Sequence, residues 1–584
     1  MIQRCLLVLA LVLTTSIVAA QGSTIPSRPA LDLDVVRVLP VLDGQRFKPF
    51  DSLARETVLA ITGKERFQRS DPVFVYLHWF FEPDLARGLD CIKLPDAATA
   101  QDLGFSASEI RSGVVSYEVL ADHDGFLTAV RAAISKSDSD RSLRDREALR
   151  LHGRWSLFAM VAGISKSHGS HAPAAGSASV GRGLLPFLAP EGELQEGVPY
   201  RWSSPSDVAD DGRHAAALSA LDRLGRSFVE EDAEAFAAAG RDLIAYSKES
   251  GYPSAFPGAA QMARETRYNT LNPFFIAAML EGLAAFLALL SLLAPRLRWA
   301  AIVPLIAGLG IHVWGLVERS LLSDRAMIGN LFESLIFVGA CAALFGLFFT
   351  LRYRSPWFLF GGALLSAIAL TAALSFPDSM SPKITALRPV LVNNFWIHVH
   401  VPTIMASYAA LGLAWVLAHV WLGHYLVHAH DTMASREVAR FTYAVMPIGL
   451  ILLLAGMVLG GVWADASWGR FWGWDPKETW SFITWIVFLV IVHGRWSGWL
   501  KDFGVAMGTM VGGWALLWTY YGVNFFQSGL HSYAGTGGPS RPPLWLWIFS
   551  AFEVSLCAAA LWRHSKSTCA PTERGTAALK GAST

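Results

Sequence analysis

The pattern of apolar and polar positions changes character near residue 270. Before it, apolar residues are interspersed with polar ones and no run is long enough to cross a bilayer. After it, nine apolar runs recur, at about 274–294, 299–318, 329–350, 357–375, 401–427, 441–462, 480–497, 503–525 and 544–563. Each is near the roughly 20 residues that a membrane-spanning helix needs. The pattern predicts an all-α polytopic membrane bundle over 271–563, preceded by a mostly helical domain over 21–270. Within that domain Ala215–Leu243 has helical apolar spacing. A stretch rich in Ser, Gly, Ala and His, about 164–182, reads as a flexible loop, so its His168 and His171 read as solvated.

The first residues refine this division. Arg4 is followed by an apolar run from Cys5 to Ala20, closing on small residues. Residues 1–20 read as a signal peptide or signal anchor, which places 21–270 outside the cytoplasm. The short loops agree. Arg296 and Arg298, Arg352 and Arg354, Arg436 and Arg440, Arg495 and Lys501, and Arg563 and Lys566 all fall on one side. By the positive-inside rule that side is cytoplasmic, as is a tail over 564–584. Loops 319–328, 376–400, 463–479 and 526–543 then face outward.

Composition narrows the function. The chain is 53% apolar and 16% charged, with a net charge of +1, so there is no electrostatic case for a nucleic-acid partner. Of five cysteines only Cys91 lies in the exported domain, which excludes a disulfide framework there. The chain has neither a Cys-x-x-Cys-His segment nor a phosphate-binding Gly-x-x-x-x-Gly-Lys-Ser/Thr loop. Both absences argue against covalently attached heme on this chain and against built-in ATP hydrolysis.

The chemistry concentrates in one outward loop, the segment 463–480. Six tryptophans crowd Trp463–Trp485, with Asp475, Lys477 and Glu478 set among them. Tryptophan suits a membrane–water boundary, but an anchoring belt needs fewer. The density reads as a flat aromatic shelf, formed by Trp468, Trp472, Trp474 and Trp480, for a large planar ligand. Heme needs apolar walls, axial imidazoles and cationic partners for its propionates. The outward loops offer His400 and His531 as ligands, with Arg470 and Lys477 for the carboxylates. His398, two residues before His400, is the alternative.

The block Trp468-Gly-x-x-Trp472-x-Trp474-Asp475-x-Lys477-Glu478-x-Trp480 resembles the WWD motif of heme-handling proteins. Asn330-Leu-Phe-Glu333-Ser-Leu-Ile-Phe337 resembles an element of the CcsA-type (ResC-type) proteins of system II cytochrome c biogenesis. The segments around His400–Ala410 and Gly522–Tyr533 resemble that family's two external histidine segments. The resemblance covers about 300–563. It implies a protein that binds heme b non-covalently, as a substrate, on the outer face of a bacterial-type inner membrane. There it presents heme for thioether attachment to apocytochrome c, as part of a heme-lyase (synthase) complex. It implies His400 and His531 as ligands of the external iron, and no catalytic residue in the chain. It also implies a CcsB/ResB-like subunit and a thiol reductant system as partners. A heme exporter or chaperone without ligation activity, and a non-heme transporter with a tryptophan belt, are the rival readings.

Several residues remain. The family has a second, membrane-embedded heme site, and His493 matches the position of one of its ligands. His312, deep in the second run, is a possible partner; a separate CcsB-like subunit is the other source. His419, His424, His428 and His430 crowd the inner end of the fifth run and read as interfacial. Glu318, Arg319 and Glu333 flank the third run, as a polar pair or as boundary charges. Val41–Glu56 resembles a segment found in front of some fused relatives, as a docking element or as a stabilising cap.

Overall fold

A computed structural model describes residues 25–164, 214–249, 258–385, 395–428, 432–529 and 542–569, with short gaps inside the first, third and fifth of these. The signal segment, His168, His171, His430, His531 and the tail beyond 569 lie outside the described residues. The chain divides into two units, 1–266 and 267–584.

In the first unit an antiparallel hairpin, β1 (Pro40–Asp43) and β2 (Arg46–Pro49), sets Val41 opposite Lys48 and Asp43 opposite Arg46. It runs straight into α1 (Phe50–Thr62), which ends on Gly63 at φ +70°. Helix α2 (Pro72–Phe81) is buried along its whole length. Its Trp79 meets Phe158 of α3 (Leu143–Val161) edge-on at 5.4 Å. The spacing over 215–243 resolves into two helices, α4 (Ala215–Glu230) and α5 (Ala233–Glu249). They separate at Glu231, whose φ is +60°.

Charged residues clamp the hairpin to α1. Lys48 is 1% exposed, and its ammonium lies between Asp43, at 2.6 Å, and Glu56. Asp51, fully buried, accepts from Arg37 at 2.7 Å and Arg55 at 2.8 Å. Arg46 forks onto both oxygens of Glu265, at 2.6 and 2.8 Å, on α6 (Gly258–Leu271). The polar side chains of Val41–Glu56 are therefore engaged within their own domain, as a stabilising element uses them.

Three further carboxyls in this unit are held below their ordinary range. Burial opposes ionisation of Asp71, but its hydrogen bond and attraction to Arg37 prevail. Burial likewise opposes ionisation of Glu82, and His78 and Arg28 outweigh it. Asp145 is pulled down to about 2, first by Lys136 and then by Ser142.

The second unit is a bundle of long apolar helices: α7 (Pro273–Leu290), α8 (Leu297–Ser323), α9 (Leu331–Tyr353), α10 (Pro356–Ser375), α11 (Phe395–Val427), α12 (Met433–Trp468) and α13 (Pro476–Trp496). The eighth run is a composite. Helix α14 (Asp502–Leu517) passes through a π-turn, Trp518–Gly522, into α15 (Val523–Phe526). Helix α16 (Leu544–Cys569) follows. Eight described helices are long and apolar enough to cross a membrane, and the composite accounts for the remaining run. The protein is an all-α, multi-pass membrane protein with a helical N-terminal region.

The helix ends obey local chemistry. Proline stands at the first position of α7, α10 and α13, where its missing N–H costs nothing. Asn330 caps α9 by accepting from the Glu333 N–H. Small residues set the closest approaches. On α12 an added Cβ at Gly449 would lie 2.5 Å from Leu411, and one at Gly456 would lie 2.5 Å from Ile404. On α9 a Cβ at Gly346 would lie 2.8 Å from the Gly362 Cα of α10. Lipid-embedded helices associate by this close packing, since burial from water offers no drive between them. Because successive helices alternate in direction, residues 328–334, the start of α11, the end of α12, the start of α13 and the π-turn meet at one end of the bundle.

Because Asp71, Glu82 and Asp145 are depressed in the folded state, they add stability above the ordinary carboxylate range and lose it as pH falls through their folded values. Amide-exchange protection over residues 34–161, corrected for intrinsic rates, should therefore fall between about pH 4 and about pH 2. A flat profile across that window would contradict the assignment.

Candidate functional site

The converging helix ends enclose a cavity of about 1040 Å³, including its mouth. Part of that volume is open solvent, so the space is a partly enclosed cleft. Its walls come from five places: Ile328–Ser334, α11, the end of α12, the loop and start of α13, and the π-turn.

His400 lies on the wall. The outward loop expected to carry it is instead helical, because α11 begins at Phe395. Its Nδ1 is 2.8 Å from the Gly456 carbonyl of α12. A carbonyl only accepts, so Nδ1 carries the proton and Nε2 keeps its lone pair. Metal-binding histidines are oriented in this way, by donating the other ring N–H to a backbone carbonyl. The ring fits because Gly460 has no side chain: a Cβ there would lie 2.6 Å from His400 Cε1. Trp463, 6% exposed, stands 5.8 Å from the imidazole.

The expected shelf of four indoles is not a single plane. Trp472 lines the cavity together with Trp463. Trp474 lies at 88° to Trp472, is 67% exposed and holds φ +57°. An exposed indole in the left-handed region is strained. Trp480 packs on Trp518 of the π-turn at 5.8 Å. Trp468 ends α12 and sits under the Arg470 guanidinium. Helix geometry at both ends of the block points its indoles in different directions, so the aromatic wall is Trp463 and Trp472.

The polar residues of the block divide by role. Asp475 is the N-cap of α13, accepting from the Lys477 N–H at 3.0 Å, and Glu478 completes a capping box. Glu478 Oε2 accepts from the N–H groups of Gly473 and Asp475. Asp-Pro-Lys-Glu is thus a helix start with proline at its first position. Asp475 also braces a neighbouring segment: a Cβ on Gly529 would lie 2.4 Å from its Oδ2. Lys477 faces the cavity, and its ammonium donates to the Thr519 carbonyl at 2.9 Å. Arg470 packs over Gly473, where a Cβ would fall 1.2 Å from Nη1, and its Nη1 lies 3.7 Å from Glu478 Oε1.

The other histidines are not gathered here. His312 is fully buried, and both its nitrogens are engaged. Nε2 donates to the Ile336 carbonyl at 2.9 Å, and Nδ1 lies 3.2 Å from Glu281. No position on its ring is left for iron. His493 is exposed and turned back on its own helix, with Nδ1 bonded to the Leu489 carbonyl at 2.9 Å. One ring is enclosed and the other opens on the bundle surface, and no contact joins the two among the described residues. His419 meets Glu553 of α16 at 2.5 Å, and His424 stacks on His428 at 3.9 Å. His531 lies outside the described residues.

Arg319 and Glu333 form the polar pair that was one reading of them, but the part of Arg325 in it and two further features escaped the sequence reading. Glu333 accepts from Arg319 at 2.9 Å, from Arg325 at 2.7 Å and from the Gly329 N–H at 2.8 Å, a buried network directly behind the cavity wall. Arg325 lay too far along the loop to be matched with it. Tyr520 and Ser334 share a hydrogen bond of 2.9 Å on the wall itself. Tyr408 lines the same wall, 3% exposed. Only the hydroxyls inside apolar runs marked them beforehand.

Residues 328–531 match the family described as cytochrome C assembly protein. Protein NrfI of Wolinella succinogenes is 35% identical over 38% of this chain, but the match spans only 25% of NrfI. The cytochrome c biogenesis protein CcsA of Guillardia theta is 34% identical over 35% of this chain and 76% of its own length. CcsA of Mesostigma viride is 30% identical over 40% of this chain and 87% of its own length. The matched region contains every residue of the cavity wall.

The cradle under His400 makes a sharp distinction between two glycines. Gly460→Ala should destabilise the detergent-purified protein by about 1–3 kcal/mol through overpacking. Gly423→Ala, where an added Cβ meets nothing within 4 Å, should stay within about 1 kcal/mol of the parent. Thermal unfolding compares them, and equal effects would refute the cradle.

Proposed function

Because this chain belongs to the cytochrome c assembly family, alongside the CcsA cytochrome c biogenesis proteins, we propose that its cavity holds heme b outside the membrane and presents it to apocytochrome c. The observation that carries the reading is His400. It is an imidazole with an assigned tautomer, set by a backbone carbonyl at 2.8 Å on the wall of a large aromatic cavity. Trp463 and Trp472 supply flat apolar walls, and Lys477 supplies a cationic partner for the propionates, whereas Arg470 is not on the lining. We assign the opposite axial position to His531. Gly529, two residues earlier in sequence, packs on Asp475, which favours that assignment.

The task so defined is orientation. In attachment each cysteine thiol adds across a heme vinyl group: sulfur bonds to one vinyl carbon and the thiol proton ends on the other. Nothing leaves, so no nucleophile is required of this chain. What the protein contributes is a fixed iron, a fixed ring plane and exclusion of competing reactions. A thiol reductant system keeps the client cysteines reduced. The exposed His493, at the opposite end of α13 from the cavity, suits a membrane heme site completed by a CcsB-like subunit. The basic loops and the signal-like N-terminus support placing the cavity on the outer face of a bacterial-type inner membrane.

Protein purified in detergent should carry a low-spin heme spectrum. His400→Ala or His531→Ala should remove it, and c-type cytochrome yield should fall at least about tenfold, with partial rescue by added imidazole. Full cytochrome yield from the double variant without imidazole would sink the reading. Reconstitution with apocytochrome c separates attachment from mere export, since only attachment removes the vinyl contribution from the pyridine hemochrome spectrum.

A further inference from the structure

We infer that the deep end of the cavity is a carboxylate-binding floor, so that heme lies with its propionate edge inward and its vinyl edge toward the mouth. The inference rests on the heme reading of this cavity and adds the direction in which the porphyrin lies.

Tyr408 follows His400 by eight residues on α11, which is about 12 Å deeper at 1.5 Å per residue. Its hydroxyl is buried, and the Ser481 side chain is its hydrogen-bonding neighbour. Its ring meets Tyr520 edge-on at 6.2 Å. On the other side of Tyr520, the Lys477 ammonium lies 5.8 Å from the ring centroid. That ammonium carries three donors. Among the described residues its one hydrogen bond is to the neutral Thr519 carbonyl, and it has no carboxylate within ion-pair distance. A cation facing an apolar cavity with one neutral acceptor is poorly compensated. The Tyr408 phenol, whose neighbour is the neutral Ser481 hydroxyl, is a second donor facing the same space. A carboxylate entering from the cavity would compensate the ammonium and accept from the phenol.

The acidic residue of the same wall does not compete for them. Glu478 already receives two backbone N–H groups and faces Arg470. Nearer the mouth the wall is Trp463, Phe471 and Trp472, which carries no cation and offers only neutral indole N–H groups. Propionates and vinyls lie on opposite edges of the porphyrin. Thiols of an incoming apocytochrome reach the edge that faces water, so productive seating needs the charged edge to be the buried one. A floor with an under-bonded ammonium, the one cation on the lining among the described residues, beside the Tyr408 phenol makes that orientation the stable one.

The test compares binding of iron protoporphyrin IX and of its dimethyl ester to the full chain in detergent, read by the Soret band. The parent protein should prefer the diacid by roughly tenfold or more, the scale of a charged hydrogen bond. Lys477→Met should abolish the preference while leaving ester affinity and the His400-dependent band in place. Lys477→Arg should keep it, and Tyr408→Phe should shrink it. An unchanged preference in both Lys477→Met and Tyr408→Phe, or no preference in the parent, would overturn the floor while leaving the heme reading intact. Binding of neither porphyrin, or binding indifferent to His400, would overturn the heme reading and this one with it.

Discussion

The close approach of α11 and α12 is the constraint on which the site depends. In lipid, two helices gain little from hiding apolar surface and must gain from contact. Gly449, Gly456 and Gly460 remove side chains along one face of α12, and Leu411, Ile404 and His400 of α11 fill the spaces. The same approach brings the Gly456 carbonyl to His400 Nδ1. Packing, tautomer and ring orientation are therefore one event. A bulkier face on α12 would separate the helices and release the imidazole together.

The ionisable groups buried inside the bundle are largely answered by one another. His312 is held by Glu281 and a carbonyl, His419 by Glu553, and Glu333 by two arginines and a backbone N–H. Burial makes such pairing obligatory, because a lone charge in hydrocarbon is too costly. Against that background Lys477 stands apart: it faces the cavity, and among the described residues its ammonium is bonded only to a neutral carbonyl.

The WWD block shows how a motif mixes roles. Asp475 and Glu478 start α13 and join the block to the chain around Gly529. Trp463 and Trp472 face the ligand space. Trp474 is left exposed at positive φ. A stretch that looks uniform as sequence is thus part helix end, part wall and part surface, because α12 runs on to Trp468 and α13 begins at Pro476. The hairpin segment Val41–Glu56 is the opposite case: its many charges invited a functional reading and all the pairs found for them are internal.

Sequence alone determined the bundle, since apolar runs of spanning length have few other fates, and the candidate chemistry, since imidazole and indole at such density are rare outside cofactor sites. It also marked the helix starts at Pro273, Pro356 and Pro476, where local backbone chemistry decides. Only the tertiary structure decided which indoles meet the cavity, that His312 is already committed to Glu281, and that Tyr408, Tyr520 and Lys477 share one floor. Periodicity and composition describe what each segment buries, whereas convergence depends on helix register and on how near two backbones come. Those distances are set by contacts between residues tens to hundreds of positions apart.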